Sequence, residues 1–272
     1  MAVRLSRIIA VAVAVSAMVA AASKLGSIVN SFPARIRVSG GKLMPTGMAY
    51  ANGYIWMMYS AGYAAKRAFP SGSVIATYEF YPRVRAYHGL TYDGSYLWTS
   101  FMYRYPPPKL LKISPATMSV VASYPLSHFN KRLLSLEWDG KYFWISLLDV
   151  YYYVFRVTSA GSVVSSFRNS YRYTPAICYV DDLPGGPRLF ELNGDVFPPI
   201  FYVYKAPGHT FDYRFFPRHT GARNPACWDG EYLWTFANHD PGGNEYCYQL
   251  VAWVPDYAVA PASLGKVKAL FR

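Results

Sequence analysis

The chain has 272 residues, 53% hydrophobic, 18% aromatic and 15% charged, with a formal net charge of +12. It is too apolar and aromatic for a disordered chain, and its charge favours anionic partners. Its three cysteines, Cys178, Cys227 and Cys247, include no Cys-x-x-Cys pair, so neither a disulfide framework nor a thiolate zinc site is expected.

Residues 1–23, MAVRLSRIIAVAVAVSAMVAAAS, start with Arg4 and Arg7, run through apolar Ile8 to Val19 and reach Ala20-Ala21-Ala22. This is the pattern of a secretory signal peptide, with an apolar stretch short for a membrane span; an uncleaved anchor is the alternative. Either way the folded part is expected outside the cell or at its surface, touching a membrane only through this segment if it is kept. Residues 24–46 read as a linker holding one β-strand, because GSIVNSFP (26–33) resembles GSVVSSFR (161–168).

From residue 47 one pattern recurs. GMAYANGYIW (47–56), HGLTYDGSYLW (88–98), SLEWDGKYFW (135–144) and ACWDGEYLW (226–234) each place Asn-Gly or Asp-Gly between two aromatic-rich runs. Glycine supplies the positive φ of a tight hairpin there. The steps between Trp56, Trp98, Trp144 and Trp234 are 42, 46 and 90 residues; the last, two steps of 45, implies a fifth, degraded copy near residue 189, with Tyr179 and Phe190 in AICYVDDLPGGPRLFEL (176–192) as its aromatics. Third runs follow at KLLKIS (109–114), YYVFRVT (152–158), IFYVYKA (200–206) and YQLVAWV (248–254). Fourth runs follow at SVIATYEF (73–80), SVVASYPL (119–126), SVVSSFR (162–168), TFDYRFF (210–216) and KVKALF (266–271). A period of roughly 40–50 residues with four short strands predicts an all-β fold, a single β-propeller over 47–272. Five four-stranded blades are expected, with six as the alternative. The strand at 27–32 is then spare. It either closes the ring against the last blade or pairs with a neighbouring subunit, as an assembling surface or virion protein would. A single Gln and 17 Arg against 10 Lys hint at a hot habitat.

In such a ring the links between blades share one face with the second-to-third turns. Those segments hold Arg83, Arg85, His88, Arg104, His128, Lys131, Arg132, Arg168, Arg172, Arg218, His219, Arg223 and His239, against the acids Asp149, Asp240 and Glu245. The face is expected to be basic and rich in His and Tyr. An anionic polysaccharide or an envelope protein is the expected partner, with nucleic acid demoted by the signal segment. Four of those histidines lie in four different loops without a local ligand motif, so neither a metal nor a cofactor is expected. Glu137, on a first strand, is the acid placed to approach the central channel. With His88, or paired with Asp149, it is the alternative catalytic reading, an extracellular lyase or glycoside-active enzyme.

The Asp-Gly-x-aromatic-Leu-Trp repeat resembles secreted bacterial and archaeal propellers of the virginiamycin B lyase-like and glutamine cyclotransferase-like groups. His88-Gly89-Leu90 and Leu97-Trp98-Thr99 carry the likeness, over about residues 45–271. Ser100 and Ser146 stand where those repeats usually have an acid. The resemblance implies the fold, and the motif encodes the blade rather than any chemistry.

Overall fold

The computed structural model describes residues 28–38, 41–59, 61–80, 87–101, 107–131, 133–147, 153–168, 176–193, 199–216, 222–237 and 246–250. Every helix or strand assigned among them is a β-strand. Alternating β-branched and aromatic runs, broken by Gly, Pro and Asp turns, leave no apolar stripe of helical period.

The chain opens with β1 (Ile28–Pro33) and a small hairpin of β2 (Ile36–Val38) and β3 (Gly41–Leu43). Four antiparallel blades follow in sequence order, each of four consecutive strands. The first is β4 (Pro45–Ala51), β5 (Tyr54–Tyr59), β6 (Tyr63–Ala68) and β7 (Val74–Glu79). The second is β8 (Tyr87–Tyr92), β9 (Leu97–Phe101), β10 (Lys109–Ile113) and β11 (Val120–Pro125). The third is β12 (Leu133–Trp138), β13 (Phe143–Leu147), β14 (Tyr153–Val157) and β15 (Val163–Arg168). The fourth is β16 (Ile177–Val180), β17 (Arg188–Asn193), β18 (Ile200–Lys205) and β19 (Thr210–Phe215). The remaining four-stranded sheet is composite. β20 (Ala222–Trp228), β21 (Leu233–Ala237) and β22 (Tyr246–Leu250) come from the end of the chain, and β1 supplies their outer strand.

The expectation of five or six blades each closed by its own fourth strand is thereby corrected. Four blades are continuous in sequence, and the last sheet borrows its outer strand from residues 28–33. The expected strand at 266–271 lies outside the described residues. β1 pairs antiparallel with β22, Ile28 opposite Leu250 and Pro33 opposite Tyr246. The strand that the sequence leaves over is therefore paired within its own chain.

The first strands β4, β8, β12, β16 and β20 each touch the next, and β20 returns to β4, which gives a propeller-like arrangement. Glycine makes the close approach feasible. A Cβ on Gly47 would collide with the Gly89 carbonyl, and one on Gly89 would lie 2.7 Å from the Leu136 backbone nitrogen. β20 also comes near β8 and β12 across the axis.

The core lies between sheets. Trp98 and Leu110 of the second blade meet Leu136, Phe143 and Ile145 of the third, all buried. The seam at the composite sheet is built the same way. Phe32, Ala34 and Ile36 pack with Met48, Met57, Tyr59, Trp234 and Cys247. Buried Arg67 holds that seam. Its guanidinium donates to the carbonyls of Pro33 (3.1 Å), Ala34 (2.9 Å), Arg35 (3.2 Å) and Gly72 (2.7 Å), and to the Tyr59 hydroxyl (2.8 Å). A planar fork with five N–H donors suits five acceptors; an ammonium group does not.

Candidate functional site

The hairpins define one end of the disc. Asp93, Asp139 and Asp229 act alike: Oδ1 accepts the backbone N–H groups two and three residues on, and Oδ2 accepts the indole Nε1–H of Trp98 (2.7 Å), Trp144 (2.9 Å) or Trp234 (2.6 Å). The Asp-Gly-x-aromatic-x-Trp spacing is thus a local hydrogen-bond unit. The first copy is built differently. Asn52 and Gly53 both have positive φ (52° and 77°), the two-residue hairpin geometry, and the Asn52 amide donates to Tyr92 of the next blade.

The second-strand tryptophans are clamped in register. Trp56 faces Lys66, Trp98 faces Lys112 and Trp144 faces Arg156 on the third strands. Each cation lies near the rings of its blade: the Lys66 ammonium is 3.7 Å from the Tyr54 ring centre, Lys112 is 3.9 Å from Tyr96, and the Arg156 guanidinium is 4.4 Å from Tyr142. Fourth-strand Tyr78, Tyr124 and Phe167 also pack on those tryptophans. These three cations serve the fold at the hairpin end, and Arg156 also pairs with Asp139.

One layer inward, the residues opposite Trp56, Trp98, Trp144, Phe190 and Trp234 are Ala49, Thr91, Glu137, Cys178 and Cys227. Glu137 is the one acid of this layer. Oε1 accepts the Thr91 hydroxyl at 2.8 Å and the Trp138 N–H at 3.3 Å. The residue as a whole is half-buried, yet Oε2 is sealed from solvent without a hydrogen-bond partner. Burial pushes the carboxyl up to about 8, against the two hydrogen bonds that favour the anion. Glu137 is therefore mostly protonated near pH 7. The side chain that holds it is a threonine of the preceding blade. Cys178 and Cys227 stay thiols, because burial first and the nearby Glu137 carboxyl second raise them. All three cysteines are free and buried.

The sequence-predicted face is only partly described. His88 is the second residue of β8, near its link end, and is buried. His128 and Lys131 are exposed just before β12. Arg83, Arg85, Arg104, Arg132, Arg172, Arg218, His219 and His239, the acids Asp149, Asp240 and Glu245, and the Arg223 side chain lie outside the described residues. Among the described residues no three His, Cys, Asp or Glu side chains could hold a metal ion together. Lys109, Arg168 and Arg214, absent from the sequence-based site or counted only as links, are exposed at that same end, as Lys109 opposite Phe101 and Arg168 opposite Tyr153 show.

One buried polar pair escaped the sequence altogether. His209 sits in the turn between β18 and β19, its Nε2 2.5 Å from Glu191 Oε1. Its ring stacks on Tyr204 and on Phe167 of the preceding blade. Glu191 sits in the middle of a buried second strand, where an apolar residue is expected, and that was the available signal. The pair joins the third blade to the fourth.

No family model matches the chain, and no curated protein sequence does. Among solved structures, the crystal structure of Myxococcus xanthus glutaminyl cyclase superposes with a TM-score of 0.59 at 10% identity, over 82% of this chain and 94% of that one. At that identity the likeness speaks for the architecture, and it agrees with the sheet order: this chain has a β-propeller fold like that of glutaminyl cyclase.

Proposed function

We propose that this protein is a surface-exposed or secreted binding propeller that holds an anionic polymer, such as an acidic or sulfated polysaccharide, on its link face. The supporting observation is how charge is divided between the two ends. At the hairpin end Lys66, Lys112 and Arg156 are committed to aromatic rings, and the exposed Lys141 and Lys205 are offset by the exposed Asp181, Asp182 and Glu231. At the link end Lys109, Lys131, Arg168 and Arg214 are exposed, with Glu79 as the exposed acid there among the described residues. The sequence adds Arg83, Arg85, Arg172 and Arg218 to the same loops. A surface of one sign attracts a polyanion and loses it as salt rises. The test is heparin binding across a salt series. Lys131→Glu with Arg168→Glu should weaken binding at least tenfold at low salt, and Lys141→Glu at the hairpin end should not. Equal effects of the two would overturn this reading.

A second reading rests on Glu137, a protonated carboxyl at the inner layer with one unpartnered oxygen. Such a group can act as a general acid near neutral pH, in an extracellular propeller enzyme. New reducing ends or unsaturated products from acidic glycans, abolished by Glu137→Gln, would favour it. An intact polymer under saturating protein would count against it.

A further inference from the structure

The outer strands begin at the hairpin end, and their first two residues are apolar and exposed in blade after blade. These are Ile28-Val29, Val74-Ile75, Val120-Val121 and Val163-Val164, with Phe211 at the corresponding place in β19. Register fixes the end. Val120 faces Ile113, which faces Leu97, next to the Asp93 turn; Ile28 faces Leu250, which faces Leu233, next to the Asp229 turn. Apart from Tyr153 and Phe216, all exposed large hydrophobics among the described residues belong to this belt. Ile75 is 52% exposed, Val121 51% and Phe211 53%. Three of the neighbouring third-to-fourth turns, at 69–73, 114–119 and 158–162, contain no charged residue. Scattered apolar side chains need no explanation, but a coaxial belt at one end of a disc does.

The chain also enters the fold at this end. Ile28 begins β1 there, and only residues 20–27 separate it from the apolar run Ile8–Val19. Eight residues reach at most about 28 Å when fully extended. A bilayer holding that run would therefore lie beside the belt. The run alone is short for a span, and a weak apolar anchor becomes stable when a second membrane contact is added.

We propose that residues 8–19 are retained and that the hairpin end of the propeller rests on a lipid surface, the belt dipping into the headgroup boundary. The basic link face then points away from the membrane. This stands apart from the polyanion reading, since Lys131→Glu leaves the belt untouched.

The test uses the full chain in phosphatidylcholine–phosphatidylglycerol vesicles, with an environment-sensitive fluorophore on a cysteine placed at Val121 or at Lys131. The native cysteines are buried, so labelling is directed to the new thiol. Doxyl lipid should quench the label at 121 several-fold more than the label at 131. The triple variant Ile75→Lys, Val121→Lys, Val164→Lys, built on exposed positions, should fold normally and shed the propeller from the surface, seen as lost quenching of a Phe211→Cys label. Equal quenching at 121 and 131 would overturn the proposal. So would a chain recovered from cells with residues 1–23 removed, or a shift at 121 that appears with protein concentration in the absence of vesicles, the signature of self-association.

Discussion

The ring of Phe32, in the first strand of the fold, packs 5.2 Å from that of Trp234 in the last sheet. It takes the place that Phe167 takes on Trp144 and Tyr124 on Trp98 within continuous blades. Phe32 also lies against Gly72, where a Cβ would run into its ring. The contact joins the two ends of the described chain, so its loss opens the ring rather than a single blade.

Phe32→Ala should therefore cost about 3–5 kcal/mol, the range for deleting a buried aromatic ring. Val29→Ser, on the exposed side of the same strand, should change stability by less than about 0.5 kcal/mol. Urea unfolding of both variants checks this, and Phe32→Ala should also speed hydrogen exchange in β22 before it does so in β9.

Arg67→Met should be at least as damaging. It takes the guanidinium from the carbonyls of Pro33, Arg35 and Gly72, while the Tyr59 hydroxyl still donates to Ala34, and each buried group left unsatisfied costs roughly 1–3 kcal/mol. Arg67→Lys should rescue little, because an ammonium has three donors and no fork. Melting temperatures of the two variants, compared with wild type, decide it.

Glu137 gives the fold a pH dependence of definite sign. Its carboxyl ionises at about 8 in the folded protein and near 4.5 unfolded, so between those values the folded state holds the extra proton. Stability should fall as pH rises from about 4.5 to about 8. Glu137→Gln keeps an acceptor for Thr91 and cannot ionise, so its urea midpoint should be flatter across that window and higher than wild type at pH 8.5. Parallel curves for both proteins would show that Glu137 is not held neutral.

Gly47→Ala should prevent correct closure, because the new methyl meets the backbone of Gly89 and neither strand can yield without moving its blade. Gly53→Ala meets nothing within 4 Å and should cost only the strain of a positive φ, about 1 kcal/mol. Far-UV circular dichroism and soluble yield separate the two outcomes.

The turn of each Asp-Gly blade was legible from a handful of neighbouring residues, because its hydrogen bonds span only five: Asp93 to Trp98, Asp139 to Trp144, Asp229 to Trp234. The degraded copy was legible through Tyr179 and Phe190 for the same reason, since strand register survives a longer loop. His88 stands inside β8 and is buried, which its position in the sequence did not show. Glu191 and His209 went unseen because they meet across the fourth blade, eighteen residues apart, beyond the reach of any local pattern.

By itself the sequence determined the repeat, the hairpins and the order of strands within four blades, all of which rest on contacts among near neighbours. Only the tertiary structure decided which strand completes the last sheet, since residues 28–33 and 246–250 meet through long-range pairing that no local pattern encodes. It also decided that the Glu137 carboxyl pKa is raised, because that depends on the burial created when the inner strands converge.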